Sequence, residues 1–253
     1  MALDEAILEA VLKHRAPPTL RFYAWDPPCL SLGYAQTVND ADQAAIELEG
    51  WDLVRRPTGG RAILHTDELT YSISAQVDHP LFANGVLASY ERISVALMAG
   101  LEAMGIEPEL RMADPPALGN GSPVCFQNPG AFEITVEGKK LVGSAQLRRA
   151  GAVLQHGSLP LKGELGRICL ALRYANQHER ERAMGEVGRH AITVESALGE
   201  PLPWEETARH LTAGFESTLQ ARFSRQEPSQ LEIRRSHEIL EMRYAHSDWT
   251  QRI

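Results

Sequence analysis

Apolar side chains recur at Leu3, Ile7, Leu8, Val11 and Leu12, the three-and-four spacing of one helix face. Asp4 and Glu5 fall in the first turn and Lys13, His14 and Arg15 in the last, which suits the helix dipole, and Pro17 and Pro18 end the element. The pattern then switches to period two. Strands are predicted over 20–25 and 29–34; in the second, Leu30, Leu32 and Tyr34 alternate with Cys29, Ser31 and Gly33. Asn39 or Asp40 caps a short helix that Gly50 stops. Extended runs over 54–56, 61–65 and 69–75 are interrupted by a Pro57-Thr58-Gly59-Gly60 turn, and a long helix is predicted over 88–104, halted by Gly105. The stretch 114–123 is rich in proline and glycine and carries no period. Runs 132–137 and 140–148 read as a hairpin turning at Gly138, with 152–159 as a third strand. Helical spacing returns over 165–174, 204–223 and 231–244. Strands and helices mix without β-α-β alternation. That predicts an α+β fold with a mixed, mostly antiparallel sheet flanked by helices.

Bulk composition narrows the function. Hydrophobic residues make up 43% and charged residues 23% of the 253-residue chain, as in an ordinary soluble globular protein. No apolar run is long enough to span a bilayer, and the opening segment lacks the basic start of a secretory signal. A cytoplasmic location without a membrane partner is the expectation. A net charge of −8 argues against nucleic acid as a partner. Three cysteines, Cys29, Cys125 and Cys169, are too few for a disulfide framework and lack zinc spacing; no metal and no cofactor is predicted.

Each cysteine is then core filler or chemistry. Cys29 lies in an alternating strand and Cys169 on an apolar helix face, both settings for a small buried residue. Cys125, in Val124-Cys125-Phe126 within a loop marked by Pro123, Pro129 and Gly130, is the candidate nucleophile. A thiol with an unperturbed pKa of about 8.5 needs a cation or a base nearby. Lys140 is the candidate, because strand alternation turns it to the face opposite Lys139. The sequence permits this pairing but does not place the two together. The turn Arg55-Arg56-Pro57-Thr58-Gly59-Gly60-Arg61 lacks the Gly-Lys-Ser/Thr of a nucleotide loop and by itself reads as a hairpin turn with exposed arginines. Gly143-Ser144-Ala145 offers room for a ligand chain or for tight strand packing, and His65 and His156 are either pocket residues or hydrogen-bonded structural histidines. Around these motifs the chain is locally basic, with Arg55, Arg56, Arg61, Lys139, Lys140, Arg148 and Arg149, which suits an acidic partner protein or an anionic ligand.

The ordered set Met1-Ala2-Leu3-Asp4-Glu5-Ala6, Ser31-Leu32-Gly33-Tyr34, Arg55 to His65, Glu68-Leu69-Thr70-Tyr71-Ser72, Lys140 to Gln146 and Gln155-His156-Gly157-Ser158 resembles the biotin/lipoate protein ligase and transferase superfamily over nearly the whole chain. Within it, Val124-Cys125-Phe126 followed by the Lys140 motif is similar to the octanoyltransferase branch. The resemblance implies a class II biotin/lipoate ligase-like catalytic domain over 1–224 and a short C-terminal helical extension over 225–253. It implies Cys125 and Lys140 as catalytic residues. It implies a substrate site built from Arg56, Thr58, Gly59, Gly60, Arg61, His65, Gly143, Ser144, Ala145, Gln146, His156 and Gly157. It further implies octanoyl-acyl carrier protein as donor and a lipoyl-domain protein as acceptor, such as glycine-cleavage H protein or a 2-oxoacid dehydrogenase subunit. Alternatives are an ATP-dependent lipoate–protein ligase, which needs no cysteine, an octanoyl amidotransferase between lipoyl domains, a non-catalytic lipoyl-domain binder, and a hydrolase built on Cys125 and His156.

Overall fold

A computed structural model of the chain describes residues 1–111, 123–124 and 132–253. The elements run α1 (Ala2–Leu12), β1 (Thr19–Tyr23), β2 (Cys29–Leu32), α2 (Gln43–Leu48), β3 (Asp52–Arg55), β4 (Ile63–His65), β5 (Glu68–Gln76), α3 (Gly85–Ala103), β6 (Glu109–Arg111), β7 (Glu133–Val136), β8 (Lys139–Arg149) and β9 (Ala152–Pro160). They continue with α4 (Gln177–His190), α5 (Val194–Leu198), α6 (Trp204–Leu219), α7 (Gln230–Ile239) and α8 (Ser247–Thr250). Six strands form one antiparallel sheet in the order β1-β5-β9-β8-β7-β6. A second sheet, β3-β2-β4, pairs β2 parallel to β3 and antiparallel to β4. The fold is α+β with a mixed, mostly antiparallel strand set, as the intermingled periods predict.

Turn chemistry sets the register of the large sheet. The β7–β8 connection puts Glu137 and Gly138 at φ 51° and 77°, and the β8–β9 connection puts Ala150 and Gly151 at 52° and 88°. Two successive left-handed residues match the twist of the flanking strands and close a two-residue hairpin. That register sets Ser144 opposite Gly157 and Ala145 opposite His156.

One sheet face supplies Leu69, Tyr71 and Ile73 from β5, Leu141 from β8 and Val153 and Leu159 from β9 to the main core, against Ile93, Leu97 and Leu101 of α3 and Leu211 and Phe215 of α6. On the other face Ala152 and Leu154 meet Leu8 of α1. Helix α1 in turn packs against α7. Arg235 donates to both carboxylate oxygens of Glu9 at 2.8 and 3.0 Å, and Arg243 and Tyr244 both donate to Glu5. A separate cluster beneath the small sheet joins Leu30, Leu32, Ile63 and Val124 to Ile168, Val187 and Ala191.

Strand β6 and helix α8 were not predicted, and three further segments differ from the sequence expectation in ways that have a local cause. Helix α4 was not predicted, because Gln177–His190 carries few apolar positions and two glycines; it is started by Asn176, whose side chain accepts from the Glu179 amide at 2.9 Å. Helix α5 is a single short turn after Thr193, too brief for a period to show. Leu165–Ala171 is a 3-10 helix rather than an α-helix.

Helices α3 and α6 cross at paired glycines. A Cβ on Gly214 would lie 2.4 Å from the Gly100 amide nitrogen and 2.6 Å from the Ala96 carbonyl oxygen. Both obstructing atoms are backbone, so a methyl group forces the helices apart. Gly214→Ala is expected to destabilise the protein by about 1–3 kcal/mol, despite the better helix propensity of alanine. Gly188→Ala, at an exposed α4 position with no atom within 4 Å, is expected to be neutral or to stabilise by up to about 1 kcal/mol. Urea denaturation of the two variants against the parent checks both signs.

Candidate active site

The glycine-rich turn follows directly from β3, and its shape is set by two arginines. Arg55 and Arg56 are 0% and 2% exposed, which overturns the reading of this segment as a turn with exposed arginines. Arg56 donates to the carbonyl oxygens of Gly59 and Arg61 at 2.9 and 2.7 Å, and to the carbonyl and hydroxyl of Ser31 at 3.0 and 3.1 Å. Arg55 points the opposite way, to the carbonyls of Gly33, Gln36 and Thr250. Buried guanidinium groups require this saturation with acceptors. Gly60 sits at φ +92°, and a Cβ on Gly33 would lie 1.9 Å from its carbonyl oxygen, so the turn folds over the end of β2 only because position 33 has no side chain.

Beneath the turn lies a cavity lined by Arg56, Gly60, His65, Gly143, Ser144, Ala145, His156 and Gly157 from the predicted set, together with Met1, Ile63, Thr70 and Ser158. Gly157 is packed to the limit: a Cβ there would stand 2.5 Å from Tyr71 and 2.6 Å from the Gly143 carbonyl oxygen. The small residues of β8 thus serve tight strand packing as well as lining the cavity.

The two histidines are held differently. Glu68 accepts from His65 Nδ1 at 2.8 Å, and His65 Nε2 pairs with the Ser31 hydroxyl at 2.7 Å, while the ring stacks on Trp25 at 4.3 Å between centroids. The hydroxyls of Thr70 and Ser158 complete the shell of Glu68. His156 pairs through Nε2 with the Thr58 hydroxyl at 2.6 Å, and its Nδ1 has no partner among the described residues. Burial, assisted by the Arg56 charge and opposed by Asp4, pushes His156 down to about 3. It is therefore a neutral hydrogen-bonding ring at physiological pH.

Not every predicted site residue faces the cavity. Thr58 reaches it through His156, and Gly59 and Arg61 contribute the carbonyls that Arg56 holds. Gln146 is not among the lining residues. Its amide donates to Gln155 and to Ser89 of α3 and accepts from Arg148, all on the face under the helices. The locally basic stretch does not form one surface patch either. Arg55, Arg56 and Lys140 are buried, and Arg148 is tied to Phe82, Gly85 and Ser89.

Cys125 and its neighbours 126–131 lie outside the described residues, but the chain immediately before them is anchored. Val124 is fully buried and bridges in parallel to Ala62, whose amide donates to the Pro123 carbonyl at 3.0 Å. Lys140 is 7% exposed, and its ammonium donates to Glu133 at 2.7 Å. Ala191, which shares the hydrophobic cluster of Val124, bridges to Lys140. The Lys140 backbone thus borders, through Ala191, the cluster that Val124 enters. The other two thiols are unsuited to chemistry: burial pushes Cys29 up to about 12 and raises Cys169 as well.

The lipoyl protein ligase A/B catalytic domain family matches residues 1–216. The chain belongs to this family. Among its relatives, octanoyltransferase LipM of Moorella thermoacetica is 39% identical over 256 residues, covering 100% of this chain and 93% of that protein. Octanoyltransferase LipM of Kyrpidia tusciae is 38% identical over 259 residues, with the same coverage. The fold is that of a lipoate-protein ligase A solved with ATP, at a TM-score of 0.80 and 21% identity over 99% of this chain and 92% of that one. A bi-partite lipoate protein ligase from Thermoplasma acidophilum gives a TM-score of 0.79 at 21% identity, over 99% and 89%.

Several residues of this family member's site escaped the sequence reading. Thr70 and Ser158 share the strand face of His156 and were reachable by counting in twos from it. Glu133 was reachable from the hairpin about Gly138, which pairs Thr135 with Lys140 and leaves Glu133 two residues along the same face. Glu68 gave no such signal, because its role depends on three strands meeting.

His156 carries a sign that can be checked. The unfolded chain protonates it near its ordinary value of 6.5, whereas the folded protein keeps it neutral to about pH 3. Between these values the unfolded state binds the extra proton. The stability tied to this group is therefore complete above about pH 6.5 and declines as pH falls, by up to about 1.4 kcal/mol per unit. Urea unfolding at about pH 7, 6 and 5 should show that decline in the parent and a flatter one in His156→Asn. Equal slopes would remove the burial of a neutral ring as its cause.

Proposed function

We propose that this chain is an octanoyltransferase that carries the acyl group as a thioester on Cys125 between an acyl carrier protein and a lipoyl-domain lysine. The observation that carries this reading is a buried Lys140 ammonium held by Glu133, on a strand whose backbone bridges to Ala191 in the cluster that also anchors Val124, the residue before Cys125. The names of the whole-length relatives support the same chemistry.

In the first step the Cys125 thiolate attacks the carrier's thioester carbonyl. A new C–S bond forms, the old one breaks, and the carrier leaves as a thiolate that takes up a proton. In the second step the neutral amine of the acceptor lysine attacks the Cys125 thioester. An amide forms, Cys125 leaves as thiolate, and the amine releases a proton. A thioester is exchanged for a thioester and then for a more stable amide, so no nucleotide is consumed. Lys140, paired with Glu133, supplies the positive charge that stabilises the thiolate. The cavity formed by Gly143, Ser144, Ala145, His156 and Gly157 holds the acyl chain, with His156 acting as a neutral wall. A lipoyl domain is the acceptor, and glycine-cleavage H protein or a 2-oxoacid dehydrogenase subunit presents it.

Incubation with octanoyl-carrier protein without ATP is expected to leave one octanoyl adduct per chain by intact mass, mapped to Cys125 and absent in Cys125→Ala. Lys140→Met should slow its formation by about 100-fold and move the pH-rate profile to higher pH. An adduct obtained only from octanoylated lipoyl domain would make the enzyme an amidotransferase. Modification of the acceptor that requires ATP and free acid, and survives Cys125→Ala, would replace this reading with a ligase.

A further inference from the structure

One buried side chain connects the loop after β2 to the chain just ahead of Cys125. Gln36 follows β2, is 3% exposed, and has no part in the chemistry described so far. Its side-chain amide is fully engaged. Nε2 donates to the Pro123 carbonyl at 3.1 Å and to Asp40 Oδ2 at 2.9 Å, and Oε1 accepts from the Gly33 amide at 3.3 Å. Its own carbonyl is held by Arg55. Tyr34, two residues earlier, donates its amide to the Thr58 carbonyl at 2.9 Å.

The Pro123 carbonyl thus accepts twice, from the Ala62 amide and from Gln36. These two bonds act along different directions. The Ala62 bond extends a strand-like pairing, whereas Gln36 reaches in from the loop after β2. Together they fix the orientation of the peptide plane that precedes Val124, the last described residue before Cys125. Pro123 has no amide hydrogen, so its carbonyl is the polar group through which its backbone can be held.

We propose that Gln36 is a positioning residue for the Cys125 nucleophile, acting through the Pro123 carbonyl and backed by Asp40 and Arg55. The proposal rests on the Cys125 reading. Gln36 acts through the backbone ahead of Cys125 and is assigned no step in the chemistry. Removing its donor takes away one of the two hydrogen bonds that hold the Pro123 carbonyl, and a nucleophile displaced by about 1 Å loses up to about 100-fold in rate.

The test compares Gln36→Leu, which keeps the volume but not the donor, with Gln36→His, whose ring N–H can still donate. Three readouts are taken: steady-state octanoyl transfer, the rate of Cys125 alkylation by iodoacetamide followed by peptide mass, and thermal unfolding. Gln36→Leu is expected to lower kcat about 10–100-fold with KM for the carrier protein unchanged within about twofold, and to change the Cys125 alkylation rate about tenfold or more. Gln36→His should recover most of both. Should Gln36→Leu not fold, Gln36→Asn, whose amide falls one methylene short of Pro123, is read by the same criteria. Rates and alkylation at the parent level, or an activity loss no larger than the loss of folded protein, overturn the proposal. Cys125→Ala is run alongside. If it still transfers octanoyl, the nucleophile reading fails; if it is inactive while the Gln36 variants behave as the parent, the positioning role alone fails.

Discussion

Two consecutive guanidinium groups buried at the end of β3 are the constraint on which the rest of this molecule depends. Strand alternation sends Arg55 and Arg56 to opposite sides, and a buried positive charge is tolerable only where its donors are met. The chain therefore arranges carbonyls around each. Arg56 collects those of Gly59, Arg61 and Ser31 and so shapes the turn. Arg55 collects those of Gly33, Gln36 and Thr250 and so ties the loop after β2 to the C-terminal segment. Trp249 returns the connection by donating to the Arg55 carbonyl at 2.9 Å. Lysine would not substitute at either place, because a single ammonium cannot span acceptors spread over several strands.

Glu68 plays the complementary part on the far wall. Its carboxylate gathers His65, Thr70 and Ser158, residues of β4, β5 and β9, and His65 passes the connection to Ser31 of β2. The Ser31–His65–Glu68 line has the outline of a hydrolase triad. Ser31 is fully buried, does not line the cavity, and already receives Arg56, so the line locks the two sheets together. The cavity lies between these two polar frames, with Arg56 on one wall and His65, Thr70 and Ser158 on the other.

Much of this was legible in the sequence where a local rule decides the outcome. The α1 face, the hairpin about Gly138 and the strand after it, and the opposite facing of Lys139 and Lys140 follow from periodicity and turn chemistry alone, and eight of the twelve residues assigned to a substrate site line one cavity. Failures arose where tertiary context reverses a default. Arginine is normally exposed, so nothing local announced that Arg55 and Arg56 are core residues. Helix α4 draws its stability from a cap and from packing Ala183, Met184 and Val187 on the small-sheet cluster, which leaves only a faint apolar stripe. Gln146 was grouped with its neighbours by motif, but alternation places its side chain under α3.

The packing of α1 between the sheet and α7 also bears on how the chain is made. Helix α1 is synthesised well before α7, and its acidic residues Glu5 and Glu9 find Arg243, Tyr244 and Arg235 only after more than two hundred further residues. Until then one side of α1 has no permanent cover. The nascent chain must therefore complete α7 and the segment after it before α1 can settle, and contacts of such sequence separation slow that stage of folding.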